Sequence, residues 1–359
     1  MEFFRWVERT MEKQKVIDFP RAGLEYLENN EPPEDSPYYD FHKELVQFIK
    51  KLLPSPNDIK VRQHIIDELC ERIKKALADL KPNNMNSRII VLPCGSSMNG
   101  TFLPEADVDL ILYFYPLPCN PVQVMDTLIQ QLEDIVQVNS FQPIPQAKVP
   151  VLRFVVEPGI QIDLSIDELR GPLNVQAVRQ IFTKFPSILP AQVFFKCLLH
   201  KAKLDHPYVG GINAYTLQLM LVAYIQHHGI PANITEAIIG ICNFYGNEFN
   251  FTLTGIDVKG NGRFFSRYDE KHMTLESPTT MIIIDPLNRD PFNADSDILY
   301  LGLNAFRMNQ IRQVLQEAYK NITEGNGKAL LSTFEETINT FDEIRQRIDT
   351  FSEHLPKEQ

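Results

Sequence analysis

The spacing of apolar residues along the chain changes twice. In residues 37–80 apolar side chains recur every three or four positions, which predicts two helices, over Phe41–Lys50 and Asp58–Leu80. In residues 86–167 short β-branched runs and one strictly alternating segment predict four strands: Arg88–Leu92, Val108–Tyr115, Val149–Val156 and Gly159–Asp167. From Val175 onward the helical spacing returns. The chain is therefore predicted to be an α+β protein with one β-rich unit near its middle.

The remaining helical patterns are long and amphipathic. They predict helices over Pro121–Val136, Pro190–Lys203, Asn213–His227, Asn233–Phe244 and Thr333–Phe351. One face of the last helix carries Phe334, Ile338, Phe341, Ile344, Ile348 and Phe351. This stripe is predicted to pack in a core, and a partner-binding surface is the alternative.

The changes of pattern predict three segments. Residues 1–85 are expected to form N-terminal helices that pack on a central domain, residues 86–167 a mixed β-sheet with helices on it, and residues 168–359 the helical central domain. The cleft between the sheet and the helical domain is the expected place of an active site, since ligand sites lie preferentially between domains.

Composition narrows the class of protein. Of 359 residues 44% are hydrophobic and 23% charged, which excludes wholesale disorder. No apolar run approaches the roughly 18 residues that a membrane span needs, and the mixed charges at the start do not predict a secretory signal. Five widely spaced cysteines without a CxxC pair predict a reducing compartment rather than a disulfide framework or structural zinc. The net charge of −11 argues against a dedicated duplex-binding protein.

Three aspartates stand at strand positions. Asp107 and Asp109 are two residues apart and are predicted to project from one face, while Asp163 lies on the polar face of another predicted strand. If these strands are neighbours, three carboxylates converge with no cation expected beside them. Such groups repel one another unless metal ions lie between them, as in a two-metal phosphoryl-transfer site.

A glycine–serine pair precedes the aspartates. Gly95 lets the backbone approach a phosphate closely, and Ser96 can donate hydroxyl and amide hydrogens to it. Asp107 and Asp109 follow 11 and 13 residues after Ser96. Together these residues predict a site for a nucleotide and divalent cations.

The same residues, in this order, resemble a known superfamily. Gly95-Ser96, then Asp107-Val108-Asp109, then Asp163 is similar to the nucleotidyltransferases related to DNA polymerase β. Within that superfamily the chain resembles the noncanonical poly(A) polymerases and terminal uridylyltransferases, above all the surveillance-type nuclear poly(A) polymerases. The resemblance includes Gly210–Tyr215 and Ile284–Asn288 and spans about residues 37–325. It implies a nucleotidyltransferase-fold catalytic domain followed by a helical central domain.

The resemblance also implies roles for single residues. Asp107 and Asp109 are expected to bridge two Mg²⁺ (or Mn²⁺) ions, and Asp163 to bind the ion that activates the 3′-hydroxyl of an RNA primer. Lys196 is expected to hold the triphosphate, and on its helix face His200 and Lys203 predict a polar stripe. The implied nucleotide-binding set is Gly95, Ser96, Lys196, His200, Asn213, Ala214, Tyr215, Tyr245 and Asn288.

Some members of this set depart from the family pattern. Asn213 and Ala214 replace two serines of the family, so Ala214 supplies no hydroxyl.

The resemblance implies two contacts with the base of the nucleotide. Tyr245 is expected to stack on the incoming base. Asn288 lies in the segment that reads the base in the family, and the absence of histidine from residues 285–297 favours adenine over uracil.

The expected activity is therefore addition of AMP from ATP to the 3′ end of single-stranded RNA. Use of UTP, and a catalytically silent scaffold, are the alternatives. No RNA-binding module or basic tail accompanies these motifs, so this acidic chain is expected to bind RNA weakly. The resemblance to the surveillance-type enzymes implies a separate RNA-binding protein as a partner, and no membrane association is expected. By resemblance the expected location is the nucleus, with the cytoplasm as the alternative.

Overall fold

The computed structural model describes residues 15–80, 88–115, 120–147, 149–166, 170–268, 280–287 and 300–356. The chain forms two compact units. The sheet unit comprises Met1–Phe19, Pro54–Arg179 and Thr340–Gln359, and the helical unit comprises Pro20–Leu53 and Gln180–Asn339. Asn288 lies outside the described residues, so its expected role stays a prediction.

The sheet unit is built on a five-stranded sheet with the order β1-β2-β5-β4-β3. The strands are β1 (Arg88–Cys94), β2 (Val108–Tyr115), β3 (Gln142–Ile144), β4 (Val151–Val156) and β5 (Ile160–Ile166). Strands β2 and β5 run parallel, and the other neighbours are antiparallel. The four strands predicted from the sequence are confirmed, while the short exposed strand β3 was missed because it has no apolar pattern.

Alternation along β5 shows why the sheet forms here. Ile160, Ile162, Leu164 and Ile166 are buried, and the polar residues between them are half-buried. One face of the strand therefore enters the core while the other face keeps its polar groups accessible. This alternation holds the register of β5, because a slip by one residue would bury the polar set.

Two of the helices described in the sheet unit are α3 (Pro56–Ala76) and α4 (Pro121–Gln131). Helix α3 begins with a capping box in which the Ser55 side chain accepts from the Asp58 amide and the Asp58 carboxylate accepts from the Ser55 amide. Its apolar face enters the same core as the strands. The predicted helix over Asp58–Leu80 is thus confirmed with shifted ends.

The helical unit contains α1 (Arg21–Asn29), α2 (Tyr39–Leu52), α6 (Ile188–Lys201), α7 (Ala214–His228), α8 (Ile234–Asn243), α9 (Met308–Thr323) and α10 (Gly327–Ser332). It also contains a small sheet that the sequence did not predict. Its strands, in the order β7-β6-β8-β9, are β6 (Thr254–Asp257), β7 (Arg263–Ser266), β8 (Ile283–Ile284) and β9 (Tyr300–Leu301). Strands of two to four residues are too short to show a period.

The division of the chain differs from the predicted one. Helix α3 and the last part of the chain, from Thr340, belong to the sheet unit rather than to a helical domain. Helices α5 (Arg170–Lys184) and α11 (Glu335–His354) each have residues in both units. The reason is that apolar residues distant in sequence share one core, which local spacing cannot show.

The apolar stripe on α11 is core, as predicted. Phe341 and Ile348 are fully buried, and Ile344 and Phe351 pack against the core of the sheet unit. Phe334, just before the helix, packs on Phe48 and Phe194 in the helical unit.

None of the described helices is long and apolar enough to cross a membrane. Cys70, Cys94, Cys197 and Cys242 are thiols, and Cys119 lies outside the described residues.

Candidate active site

The parallel pairing of β2 and β5 brings two of the predicted aspartates together. Asp109 pairs in register with Asp163. Each is half-buried between two buried apolar residues of its own strand, so both side chains lie on the polar face of the sheet. Asp107 lies just before β2, two residues from Asp109, and is half-buried as well. The strand pairing that the sequence analysis could only suppose is therefore present.

Gly95 lies directly against Asp109. Cys94, the last residue of β1, is paired with Asp109, and Gly95 follows with a φ of 70°. A Cβ atom at this position would lie 1.8 Å from Oδ2 of Asp109. Only glycine therefore leaves room for the carboxylate while taking this backbone conformation.

The turn after Gly95 is held by two side chains. Ser96 begins a short 3₁₀ helix that ends at Asn99. The Asn99 side-chain amide donates to the Gly95 carbonyl at 3.3 Å, and the Arg179 guanidinium donates to the Met98 carbonyl at 2.7 and 3.1 Å. Ser96 itself is half-buried. Its hydroxyl and amide thus belong to a braced turn next to Asp109.

Asp163 has a cationic neighbour that the sequence analysis did not foresee. Arg153 on β4 is paired with Asp163 and donates to both of its carboxylate oxygens, at 2.8 and 2.7 Å. The Gln161 side chain donates to the same carboxylate at 3.1 Å. The expectation of three carboxylates with no cation beside them is therefore wrong, because β4 places an arginine across from Asp163. Arg153 lies opposite Asp163 on the antiparallel strand β4, and this pairing can be recognised only when the register of β4 against β5 is known.

The donor set of this site suits a hard divalent cation, since all three side chains are carboxylates. In the described part of the chain, however, no three His, Cys, Asp or Glu side chains are grouped so as to hold one ion. Asp163 accepts hydrogen bonds from Arg153 and Gln161, and a carboxylate with about four lone-pair sites keeps acceptor capacity for an ion beside them. The residues fit Mg²⁺ or Mn²⁺ through Asp107 and Asp109, with Asp163 able to add a further oxygen ligand.

The predicted polar stripe on α6 is only partly present. Lys196 and His200 are half-buried on this helix, but the helix ends at Lys201 and Lys203 has a left-handed backbone with φ of 56°. His200 Nδ1 lies 2.9 Å from Asp205 Oδ2. The pKa of Asp205 is lowered: burial alone would raise it, but the hydrogen bond with His200 and the charges of His206 and His200 outweigh burial. His200 is thus engaged within the helical unit.

The start of α7 holds three further predicted residues. Asn213 is the N-cap, and its side-chain oxygen accepts from the Thr216 amide at 2.8 Å. Its side-chain NH₂ group remains the donor that could reach a phosphate. Ala214 and Tyr215 are half-buried in the first turn.

Tyr215 forms a contact that the sequence did not reveal. Its hydroxyl donates to Oδ1 of the buried Asp285 at 3.0 Å, and the same oxygen accepts from the Leu287 amide. Burial, and next the charge of Asp285, raise the pKa of Tyr215, so the phenol stays protonated and keeps this donor. The first turn of α7 is therefore tied to the segment that was predicted to read the base.

Tyr245 is a core residue. Its side chain is fully buried, its hydroxyl donates to the Met220 carbonyl at 2.6 Å, and its ring packs on Phe244, Phe249 and Phe251. A base can stack only on a ring face that it can reach, and the Tyr245 ring has no exposed surface on either face. The prediction that Tyr245 stacks on the incoming base is therefore wrong.

A conservative change tests this correction. Tyr245→Phe removes the hydrogen bond from the phenol to the buried Met220 carbonyl, so we expect the free energy of unfolding to fall by about 0.5–1.5 kcal/mol. The nucleotide KM should stay unchanged, because the ring does not reach a ligand. Urea unfolding and steady-state kinetics of the variant measure the two quantities. A raised nucleotide KM with unchanged stability would contradict this assignment.

Comparison with known families agrees with this geometry. The family model described as the central palm domain of mitochondrial-like poly(A) RNA polymerase matches residues 41–181. The model described as Cid1 family poly A polymerase matches residues 233–291, and together the two cover more than half of the chain. The chain belongs to the noncanonical poly(A) polymerase family. The motif-based resemblance is thereby confirmed.

The relatives of this chain include proteins named poly(A) RNA polymerases and one that is described as inactive. The chain is 23% identical over 288 residues to the poly(A) RNA polymerase CID14 of Cryptococcus neoformans, covering 77% of this chain and 35% of the relative. It is 22% identical over 232 residues to Trf4-2 of Drosophila melanogaster, described as an inactive noncanonical poly(A) RNA polymerase, covering 62% of this chain and 54% of the relative. The chain thus spans about a third to a half of these relatives.

Solved structures share the fold. The polymerase core of TRAMP, described as an RNA surveillance complex, has a TM-score of 0.64 at 15% identity, covering 92% of this chain and 98% of that one. The Cid1 poly(U) polymerase has a TM-score of 0.63 at 13% identity, covering 80% of this chain and 95% of that one. The nucleotidyltransferase fold predicted for this noncanonical poly(A) polymerase family member is confirmed.

Proposed function

We propose that this chain is a template-independent nucleotidyltransferase that adds AMP from ATP to the 3′ end of RNA. The observation that carries the proposal is the in-register pair of Asp109 and Asp163 on parallel strands, with Gly95 packed under Asp109. An arrangement of carboxylates beside a glycine–serine turn suits metal-assisted attack of a hydroxyl on a nucleotide phosphate.

In this reaction the 3′-oxygen of the RNA attacks the α-phosphorus of ATP. The bond from that phosphorus to the oxygen bridging to the β-phosphate breaks, pyrophosphate leaves with the electron pair, and the hydroxyl proton passes to solvent. Divalent ions, when bound, would lower the pKa of the hydroxyl and neutralise the charge that develops on pyrophosphate.

The residues of the sheet unit supply the anionic ligands and the phosphate contacts. Asp107 and Asp109 would hold the ions, and Asp163, whose carboxylate accepts from Arg153, would supply a further oxygen ligand. Ser96 donates its hydroxyl and amide to a phosphate oxygen, in a turn that Arg179 braces through the Met98 carbonyl. Because this turn is preformed, little ordering is needed when the triphosphate binds.

The residues of the helical unit bind the nucleotide. Lys196 contacts the triphosphate, and Asn213 donates from its side-chain NH₂ group. Tyr215, held by Asp285, replaces Tyr245 as the aromatic side chain next to the base. Stacking of this kind contributes roughly 1–3 kcal/mol and discriminates poorly among bases.

Choice of ATP rests on the relatives named poly(A) polymerases. A uridylyltransferase is the second candidate, because a poly(U) polymerase shares the fold. The similarity to the core of an RNA surveillance complex supports a protein partner that brings RNA to this acidic chain.

Primer extension tests the proposal. Purified protein is incubated with Mg²⁺ or Mn²⁺, a labelled oligo(A) RNA and each of the four nucleoside triphosphates separately. We expect extension with ATP in preference to UTP, CTP and GTP. Preferential use of UTP would leave the assignment of the metal site unchanged and would identify the chain as a uridylyltransferase rather than an adenylyltransferase. No extension together with no nucleotide binding would overturn the enzyme assignment in favour of a silent scaffold.

A further inference from the structure

One arginine of the sheet unit is fully buried beside the aspartates. Arg62 on α3 has no exposed surface, and its guanidinium lies over the ring of Phe102, 4.5 Å from the ring centre. A charged group is rarely buried in this way unless it is paired and hydrogen-bonded. The partners of Arg62 therefore indicate what its burial achieves.

The hydrogen bonds of Arg62 converge on the loop that leads into β2. Its guanidinium donates to the main-chain carbonyls of Pro104 at 3.1 Å, Ala106 at 2.6 Å and Asp107 at 3.4 Å. This loop runs directly into Val108, the first residue of β2. A planar fork with several donors holds a main-chain loop in one conformation, which a lysine, with a single ammonium group, cannot reproduce.

Three aspartates act electrostatically on the Arg62 guanidinium. Burial lowers the pKa of Arg62 to about 10, while the charges of Asp58, Asp107 and Asp109 act in the opposite direction. Asp58 lies one helical turn before Arg62, and its Oδ2 atom is 3.4 Å from Arg345 Nε. At neutral pH a permanent positive charge therefore lies beneath the Asp107–Asp109 pair and reduces the repulsion between the two carboxylates.

We propose that Arg62 is a positioning residue that, through the Pro104–Asp107 loop, sets the place of the carboxylates of Asp107 and Asp109. The inference rests on the proposed function, since it assigns Arg62 to the metal-binding pair of that reaction. Arg62 is fully buried and donates to main-chain carbonyls, so its proposed action is through the main chain that carries the aspartates.

A second buried arginine provides the matched control. Arg267 in the helical unit is 2% exposed and donates to the carbonyls of Phe251 at 2.9 Å and Thr280 at 2.8 Å. As with Arg62, a buried guanidinium donates to main-chain carbonyls, here in the helical unit. Arg62→Lys and Arg267→Lys should therefore have comparable effects on stability and different effects on the aspartate site.

The experiment compares the wild type with both variants in two measurements. Mn²⁺ binding is followed by the electron paramagnetic resonance signal of the unbound ion, without nucleotide or RNA. Primer extension gives kcat and the KM for RNA. For Arg62→Lys we expect Mn²⁺ affinity or kcat to fall by about 10- to 100-fold, the range typical of residues that orient metal ligands. The KM for RNA should be unchanged, and Arg267→Lys should match the wild type in both measurements.

Equal Mn²⁺ affinity and kcat in the two variants would overturn the inference while leaving the proposed function intact. A wild type that neither binds Mn²⁺ nor extends a primer would instead overturn the proposed function. If Arg62→Lys does not fold, Phe102→Leu replaces it, because it removes the ring beneath the guanidinium and keeps the charge. For Phe102→Leu, a fall in Mn²⁺ affinity or kcat that is smaller than the fall expected for Arg62→Lys supports the inference. Wild-type values of both quantities in Phe102→Leu contradict it.

Discussion

Asp109→Asn is expected to lower the rate of primer extension by about 10³-fold or more. Asparagine has nearly the shape of aspartate, so the packing against Gly95 is retained while the negative charge is lost. Removing a carboxylate that holds a divalent ion costs several kcal/mol of transition-state stabilisation, and about 1.4 kcal/mol corresponds to a factor of ten in rate. Primer extension with the preferred nucleotide measures the loss.

The control for this change is Asp126→Asn. Asp126 is exposed on α4 of the same unit, so its substitution alters the net charge equally without touching the candidate site. Circular dichroism and thermal unfolding should show that both variants fold like the wild type. If Asp109→Asn retains wild-type activity, the assignment of the metal-binding pair is wrong.

Gly95→Ala is expected to lower activity by roughly 100-fold, because about 1 Å of misplacement at a reacting centre can have an effect of this size. The new Cβ would lie 1.8 Å from Oδ2 of Asp109, so the carboxylate or the turn must move. The backbone of Gly95, with φ of 70° and ψ of −156°, lies in a region that is essentially restricted to glycine, and alanine there adds about 1–3 kcal/mol of strain. The measurements are primer extension and urea unfolding.

Gly260→Ala separates the effect of backbone strain from the effect of displacing the Asp109 carboxylate. Gly260 has a similar φ of 66°, and a Cβ added there would meet nothing within 4 Å. This variant should lose about 1–2 kcal/mol of stability from the left-handed backbone and keep its activity. Equal activity of the two alanine variants would show that Gly95 has no special role beside Asp109.

Local patterns predicted much of the sheet unit. Strand β2 has the predicted bounds, Val108–Tyr115, and β5 begins one residue after its predicted start. Both carry apolar residues at alternate or consecutive positions, and such signals act over the few residues that form a strand. The side chains of Ser55 and Asn233 cap α3 and α8 by accepting from amides within the first turn, so these caps depend on local sequence alone.

Features that depend on distant partners were not readable. The contact of Arg153 with Asp163 depends on the register of β4 against β5, and that of Tyr215 with Asp285 joins residues 70 positions apart. The misassignment of Tyr245 has the same origin. A tyrosine in an aromatic segment can face a ligand or a core, and only the packing of Phe244, Phe249 and Phe251 around it shows which.

The sequence by itself therefore determined four of the five strands of the sheet unit and the choice of Gly95, Ser96, Asp107 and Asp109 as candidates, because these follow from short-range spacing, and the order of its motifs indicated the family. The tertiary structure decided which side chains surround them. It placed Arg62 beneath the aspartate pair, Arg153 on Asp163 and Tyr245 in the core. Such contacts arise when segments far apart in sequence share one core, and the free energy that fixes them comes from packing and burial rather than from local preference.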